Sequence, residues 1–332
     1  MGFTPLAIDV AAETDRIASA IRSAVGRDMK RRGVVVAMSG GIDSSVTASL
    51  CVRALGPERV FGLFLPEQDS GSDTVGLSQL AAESLGIQTA TEDITPLLEA
   101  AGCYRRRDDA VRTVIPEFTS EWKLKIVLPS VVKSDALRVF SVVALAPDGT
   151  SITERLPIDA YLGIVAATNF KQRTRKMMEY YYADRLNYAV AGTPNRLEYD
   201  QGFFVKLGDG AADLKPIAHL YKTQVYQLAE ALGVPEEIRS RPPTTDTYSL
   251  PQSQEEFYFS LPYAAMDVCL YAKNHGMSTA KAAKLLDLTP EQIERVYRDI
   301  DQKRRTTQYQ HLSPALVEAV PQVSTHAGHV TQ

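Results

Sequence analysis

The segment Val34-Val35-Val36-Ala37-Met38-Ser39-Gly40-Gly41-Ile42-Asp43-Ser44-Ser45 restricts the fold of this chain more than any other stretch. Its β-branched apolar run reads as a buried strand, and the spacing of Val46, Leu50, Val52 and Leu55 directly afterwards reads as a helix. Between them, a Ser-Gly-Gly turn must hand the strand end to the helix start. Gly40 and Gly41 permit that turn and leave its backbone N–H groups uncovered by side chains. Those amides, the hydroxyls of Ser39, Ser44 and Ser45, and the positive end of the helix make a cradle for an anion such as pyrophosphate. Asp43 would repel a bare phosphate there, so a bridging cation is implied, and Mg2+ fits best. The lysine of the G-x-x-x-x-G-K-[ST] loop is missing, which argues against a mononucleotide loop that cleaves at the γ-phosphate.

The flanking sequence sets this turn in an α/β fold. Helical spacing precedes it over residues 11–29, a second strand fits 60–65, and a helix follows through Val75, Leu80 and Leu85 to a Gly86 cap. A short strand fits 88–94, and Pro96 opens another helix. Strands alternating with helices predict an open, mostly parallel sheet flanked by helices. The rhythm breaks over 122–158, where apolar runs at 124–128, 139–145 and 151–156 are divided by turns such as Pro147-Asp148-Gly149. That pattern predicts a small antiparallel β insertion. Helical periodicity resumes over 160–186, a buried strand fits 188–192, and a helix over 219–232 stops at Gly233. The region 252–320 reads as helical after a Pro-rich loop from Arg241 to Pro251, and the last ten or so residues read as frayed. The expectation is one domain over 1–332, containing the insertion and the helical C-terminal region.

A second loop of chemical interest begins at Gly192. It runs Gly192-Thr193-Pro194-Asn195-Arg196-Leu197-Glu198 and continues as Gly202-Phe203-Phe204-Val205-Lys206-Leu207-Gly208-Asp209-Gly210-Ala211-Ala212-Asp213. A loop at the carboxyl end of a parallel strand is where open α/β sheets bind ligands. Glu198 offers a second carboxylate that would complete a Mg2+ site with Asp43, while Lys206 and Asp213 suit contacts to a polar substrate. Composition alone leaves a solvated charged loop equally open.

The glycine turn resembles the pyrophosphate loop of N-type ATP pyrophosphatases, a superfamily with a Rossmann-like, adenine-nucleotide α-hydrolase-like fold. The stretch from Gly192 to Asp213 resembles the signature of the NAD synthetase family, which amidates nicotinic acid adenine dinucleotide (deamido-NAD). Further markers follow the family pattern: N-x-K-x-R at Asn169 to Arg173, a lysine at Lys222, and P-T-x-D at Pro243 to Asp246. The resemblance covers most of residues 30–305. It implies that Ala37, Met38, Ser39, Gly40, Gly41, Ile42, Asp43 and Ser44 hold ATP, with Thr193, Lys222 and Thr244 also contacting it. It implies Mg2+ on Asp43 and Glu198, and deamido-NAD on Arg173, Lys206 and Asp213. Where the family has a His-Lys pair on the substrate, this chain has Gln302-Lys303. The reaction implied is ATP-dependent amidation through an acyl-adenylate, releasing AMP and pyrophosphate. Typical members are homodimers.

Length and composition narrow this reading. Glutamine-using members carry an additional nitrilase-like domain for which 332 residues leave no room, so free ammonia, or ammonia from a separate glutaminase subunit, is expected. A net charge of −4 gives no footprint for a polyanion partner, and no apolar run approaches the length of a membrane span. The three cysteines are widely spaced, with no C-x-x-C, which suits a reducing cytoplasm. Two rival readings stay open. One is an amide ligase of the same superfamily acting on another carboxylate, as the insertion and Gln302 suggest. The other is a nucleic-acid-binding helix-turn-helix over 276–305, where Ser278 and Thr289 read equally well as caps of a helical hairpin.

Overall fold

The computed structural model of the chain describes residues 4–130, 132, 139–244, 247–259, 261–318 and 320. Helix α1 (Val10–Arg22) starts where the Asp9 carboxylate accepts from the Ala12 N–H at 3.0 Å, and it ends in a wider turn over Ser23–Asp28. Two strand–helix–strand crossovers follow: β1 (Val34–Ala37), α2 (Ile42–Leu55), β2 (Val60–Phe64), α3 (Thr74–Leu85) and β3 (Gln88–Thr91). Helices α4 (Thr95–Ala100) and α5 (Cys103–Arg112) lead into strands β4 (Lys123–Val127), β5 (Ser141–Leu145) and β6 (Ser151–Arg155). The long α6 (Ile158–Leu186) then returns the chain to the first sheet as β7 (Ala189–Ala191). The remainder is helical: α7 (Arg196–Gln201), α8 (Lys222–Ala231), α9 (Glu236–Arg239), α10 (Tyr263–Asn274), α11 (Thr279–Leu286) and α12 (Pro290–His311).

The first sheet is parallel throughout, in the order β3-β2-β1-β7, with Val36 of β1 opposite Gly62 on one side and Ala191 on the other. From β1 the chain first builds outward through β2 and β3, and later returns to add β7 on the opposite side. The loops leaving β1 and β7 therefore part company at the carboxyl edge of the sheet. That divergence opens a crevice, the place where sheets of this kind receive ligands.

Period-2 alternation supplies both faces of the sheet. Val34 and Val36 face a layer formed with α1, α2 and α8, while Val35, Leu63 and Val190 face the other layer with Tyr104, Tyr182 and Ala183. The second sheet, β4-β5-β6, is antiparallel and curls around its own core. There Leu124, Ile126, Val142 and Ala144 meet Val111 of α5, Ile115 from the turn after it and Ile164 of α6. A fourth core lies among the C-terminal helices. Ala282 and Ala283 of α11 and Ile293, Val296 and Ile300 of α12 are buried in it, so the helix-turn-helix-like stretch spends its apolar face on packing. Ser278 and Thr289 cap those helices, accepting from the N–H groups of Lys281 and Gln292.

Most boundaries lie within a few residues of the sequence expectation, and the larger departures have physical causes. The helix expected from 219 begins only at Lys222, because Asp267 of α10 accepts from the N–H of Lys222 at 3.2 Å and of Thr223 at 2.7 Å. A carboxylate at that point satisfies orphan donors and fixes the helix start. The strand expected over 139–145 is confined to Ser141–Leu145, and that expected over 188–192 to Ala189–Ala191. The last ten residues lie outside the described residues, as does Asp246 of the P-T-x-D marker.

Burial pushes the Asp267 carboxyl up to about 6 from an ordinary 3.8, despite the backbone donors that favour its charged form. Between those two values the unfolded chain has released the proton that the folded chain retains. The contribution of this group to stability therefore falls as pH rises through that window, and is level outside it. Asp267→Asn is expected to flatten that part of the profile, and Asp267→Ala to cost about 1–2 kcal/mol through the lost cap. Denaturant titrations across pH 3–7 measure both.

Candidate active site

Between Met38 and Gly41 the chain turns out of β1 with Gly40 at φ +68°, in the left-handed region. A Cβ on Gly40 would stand 2.8 Å from Leu77 Cβ and 2.9 Å from the Thr74 carbonyl, so the loop is pressed against α3 as well as tightly turned. Gly41 takes the N-cap of α2 in extended conformation, and no side chain caps the helix there. The hydroxyls of Ser44 and Ser45 donate to the Gly41 carbonyl at 2.9 and 3.0 Å, and the Ser39 N–H donates to Ser44 Oγ at 3.3 Å. The serines thus brace the loop from within, and the uncapped helix start is left to meet an anion.

This loop forms one wall of a cavity of about 510 Å3. The cavity walls include Ala37, Met38, Ser39, Gly40, Gly41, Ile42, Asp43 and Ser44, together with Thr193, Glu198, Lys222 and Thr244. Across it, Phe140 just before β5 stacks on Tyr161 of α6 with ring centres 4.3 Å apart, so the β insertion contributes to the same cavity.

Asp43 in the first turn of α2 forms an ion pair with Lys222, the first residue of α8. Asn195 joins this pair to the second carboxylate. Its Nδ2 donates to Asp43 Oδ1 at 3.3 Å, and its backbone N–H donates to Glu198 Oε2 at 3.0 Å. The Asn195 side chain in turn caps α7, accepting from the N–H groups of Leu197 and Glu198. Gln254 Nε2 donates to the other Glu198 oxygen at 3.1 Å. Burial, then the neighbouring Asp43 charge, push the Glu198 carboxyl up to about 8, against the pull of Lys222 and the two donors. For Lys222, burial alone would lower the ammonium pKa. Asp43 and Glu198 outweigh that effect and hold it above its ordinary value. The donor set is two carboxylates, one of them paired with Lys222. Among the described residues there is no cluster of three or more His, Cys, Asp or Glu side chains. Hard oxygen donors in that number suit Mg2+, which takes its other ligands from phosphates and water.

The remaining sequence candidates lie outside the cavity walls. Arg173 is exposed on α6 and donates from Nε to the Lys206 carbonyl at 3.3 Å, while Lys206 Nζ donates to the carbonyls of Tyr309 and Leu312. The Asp213 carboxylate accepts from the Val190 N–H at 2.7 Å and the Tyr180 hydroxyl at 3.2 Å. Gln302 is exposed on α12, and the neighbouring Lys303 is buried, paired with Asp299 at 2.7 Å and over the Tyr258 ring.

Sequence reasoning missed several groups. Asn195 stands three residues before Glu198, the spacing of a capping box, and was findable on that ground. Lys171 of α6 was quoted only as part of a marker. It reaches Glu67 at 3.0 Å, Asp69 at 2.6 Å and the Thr247 carbonyl at 2.9 Å. Arg107 shares Asp69 at 2.6 Å, and the Tyr104 hydroxyl donates to Glu67 at 2.8 Å. This buried net ties the loop after β2 to the Pro-rich loop beside the cavity. Gln254 carries no local signal at all.

The family profile described as NAD synthase matches residues 13–114 and 148–311, passing over β4 and β5. A protein of Rhizobium rhizogenes named NH(3)-dependent NAD(+) synthetase is 58% identical over 315 residues, covering 95% of both chains. One of the same name from Thermotoga neapolitana is 38% identical over 266 residues, covering 80% of this chain and 83% of its own. Among solved structures, an NMN synthetase from Francisella tularensis superposes with a TM-score of 0.64 at 22% identity. It covers 94% of this chain and 100% of its own. An NH3-dependent NAD synthetase from Campylobacter jejuni gives 0.60 at 22%, with the same coverage. At that identity the likeness shows the fold.

Removing one partner of a buried ion pair strands the other charge. Asp43→Ala is expected to lose about 3 kcal/mol in chemical denaturation, at the low end for such pairs because Glu198 remains as a counter-charge. The double variant Asp43→Ala/Lys222→Met is expected to regain most of the loss.

Proposed function

The chain belongs to the NAD synthase family, and on that premise we propose that its cavity amidates deamido-NAD to NAD with ammonia at the expense of ATP. The observation that carries this reading is the convergence of Asp43, Lys222 and Glu198 beside an uncapped helix start. A carboxylate resists ammonia because oxide is a poor leaving group. The substrate carboxylate oxygen therefore attacks the α-phosphorus of ATP, and the bond to the bridging oxygen breaks with its electron pair on pyrophosphate. Ammonia then attacks the acyl carbon of the resulting adenylate and AMP departs, leaving the amide.

In this scheme the work of the chain is alignment and charge neutralisation. The helix start and the turn amides receive phosphate oxygens, and Lys222 offsets charge that builds on the departing pyrophosphate. Asp43 and Glu198 would hold Mg2+, which when bound supplies further stabilisation of phosphate charge. Thr193 and Thr244 complete the ATP contacts. Arg173, Lys206, Asp213, Gln302 and Lys303 would serve the dinucleotide from outside the cavity, a placement that suits a site shared between the two copies of a homodimer. Free ammonia alone suffices as nitrogen donor, in keeping with the relatives named NH(3)-dependent that match along nearly their whole length. The chain acts as one domain over 1–332, with the insertion at 122–158 forming part of the cavity wall. A cytoplasmic setting suits the three unpaired, buried cysteines. Among the described residues no helix is long and apolar enough to cross a membrane.

The purified chain with deamido-NAD, ATP, Mg2+ and ammonium is expected to form NAD and release one pyrophosphate per turnover, while glutamine in place of ammonium gives little. No NAD from ammonium, with pyrophosphate released on another carboxylate substrate, overturns the reading in favour of a related amide ligase. Glu198→Gln is expected to lower kcat by roughly a hundredfold, with partial recovery at high Mg2+ in steady-state assays.

A further inference from the structure

A second cavity, of about 420 Å3, shares no wall residue with the first. Its walls include Glu13, Arg16, Arg196, His219, Tyr221 and Asn274, so α1, α7, α8 and α10 or their flanks all contribute. Two of these residues adjoin the active centre along the chain. Arg196 lies between Asn195 and the α7 turn that carries Glu198, and Tyr221 immediately precedes Lys222.

The cations around this cavity differ in one respect. Arg16 is committed to Glu13 through hydrogen bonds of 2.9 and 2.5 Å, and its guanidinium reaches His219 Nε2 at 2.7 Å. His219 also stands 2.7 Å from Glu13. The neighbouring Arg304 is engaged by Asp200 in a two-pronged pair of 2.6 and 2.7 Å, and by Asn274. Among the described residues Arg196 has no such partner. Its guanidinium lies 5.2 Å over the Tyr221 ring, and its Nε is buried with no hydrogen-bond acceptor among the described residues. Its backbone N–H, donating to the Leu220 carbonyl at 2.8 Å, fixes where the side chain starts. The two nearby carboxylates, on Glu13 and Asp200, are already used.

We propose that this cavity is an anion site for a phosphate group, free or as a phosphomonoester, anchored by Arg196. A half-buried guanidinium without an acceptor is a cost that a bound oxyanion removes, and its planar fork matches phosphate oxygens. Arg16 and His219, already engaged with Glu13, and Asn274, whose Oδ1 accepts from Arg304, line the same cavity, so Arg196 is the cation there left to take a phosphate oxygen. Occupancy would hold Arg196 and Tyr221 and, through the backbone, the starts of α7 and α8.

Calorimetric titration of the full chain with inorganic phosphate tests this, with the first cavity filled by Mg2+ and an ATP analogue carrying a methylene α,β-bridge. Wild-type protein is expected to bind one further phosphate per chain, and Arg196→Gln to weaken that binding by about tenfold or more. Ribose 5-phosphate binding more tightly than phosphate assigns the site to a monoester. In wild-type crystals soaked with arsenate, anomalous density is expected within hydrogen-bonding distance of Arg196. No residual phosphate binding in the wild type, unchanged binding in Arg196→Gln, or density confined to the Ser39–Ser44 loop overturns the proposal. Binding is measured without turnover, so the outcome is independent of which carboxylate the enzyme amidates.

Discussion

A buried ammonium paired with one carboxylate and close to a second organises this molecule. Lys222 is almost wholly enclosed, and its charge is tolerable there only because Asp43 and Glu198 face it. Each of the three comes from a different element, namely the start of α2, the start of α8 and the short α7. Keeping them together requires the loops after β1 and β7 to diverge at the sheet edge, and requires Asn195 and Asp267 to fix the two later helix starts. The charge arrangement is therefore a tertiary property that no single segment could sustain. Burial first, and the neighbouring Asp43 charge second, also raise the affinity of Glu198 for a proton, against the pull of Lys222.

The β insertion changes the surroundings of this centre without altering its topology. The family profile passes over residues 115–147, yet Phe140 from that interval stacks on Tyr161 in the cavity wall. The insertion core is shared with α5 and α6, which keeps the added sheet from being a loose appendage. Part of the cavity wall is thus set by a residue outside the stretch the family profile matches.

Legibility in the sequence followed the range of the interactions. The strand–glycine–helix passage at Val34–Ser45 was legible because its signals are local: β-branched residues, two glycines and helically spaced apolar residues after them. The parallel sheet and the separate antiparallel one followed from the alternation of elements, and strand ends were misjudged where pairing partners decide them. In the site, Asp43 and Glu198 were legible as chemistry, and the resemblance supplied Lys222 and the threonines. The net of Glu67, Asp69, Arg107 and Lys171 was not legible, because its members lie up to about a hundred residues apart and each reads alone as an ordinary surface charge. Nor was the burial of Lys303. Its pairing with Asp299 is a simple helical spacing, but its burial depends on Tyr258 from a distant turn.

The 29-residue α6 touches the insertion, the buried charge net and the parallel sheet in turn. At roughly 1.5 Å per residue it is a rod of more than 40 Å. It carries Tyr161 near one end, Lys171 at mid-length and Tyr182 against the sheet near the other. A rigid beam clamped at three points transmits rotation rather than absorbing it. Drift in the insertion's outer strand, where most of β6 is exposed, leaves the beam undisturbed. A volume change at Ala160 or Ile164, where beam and insertion are joined, would tilt the far end against the parallel strands. The evolutionary freedom of the added sheet is therefore greatest at its rim and least at its hinge.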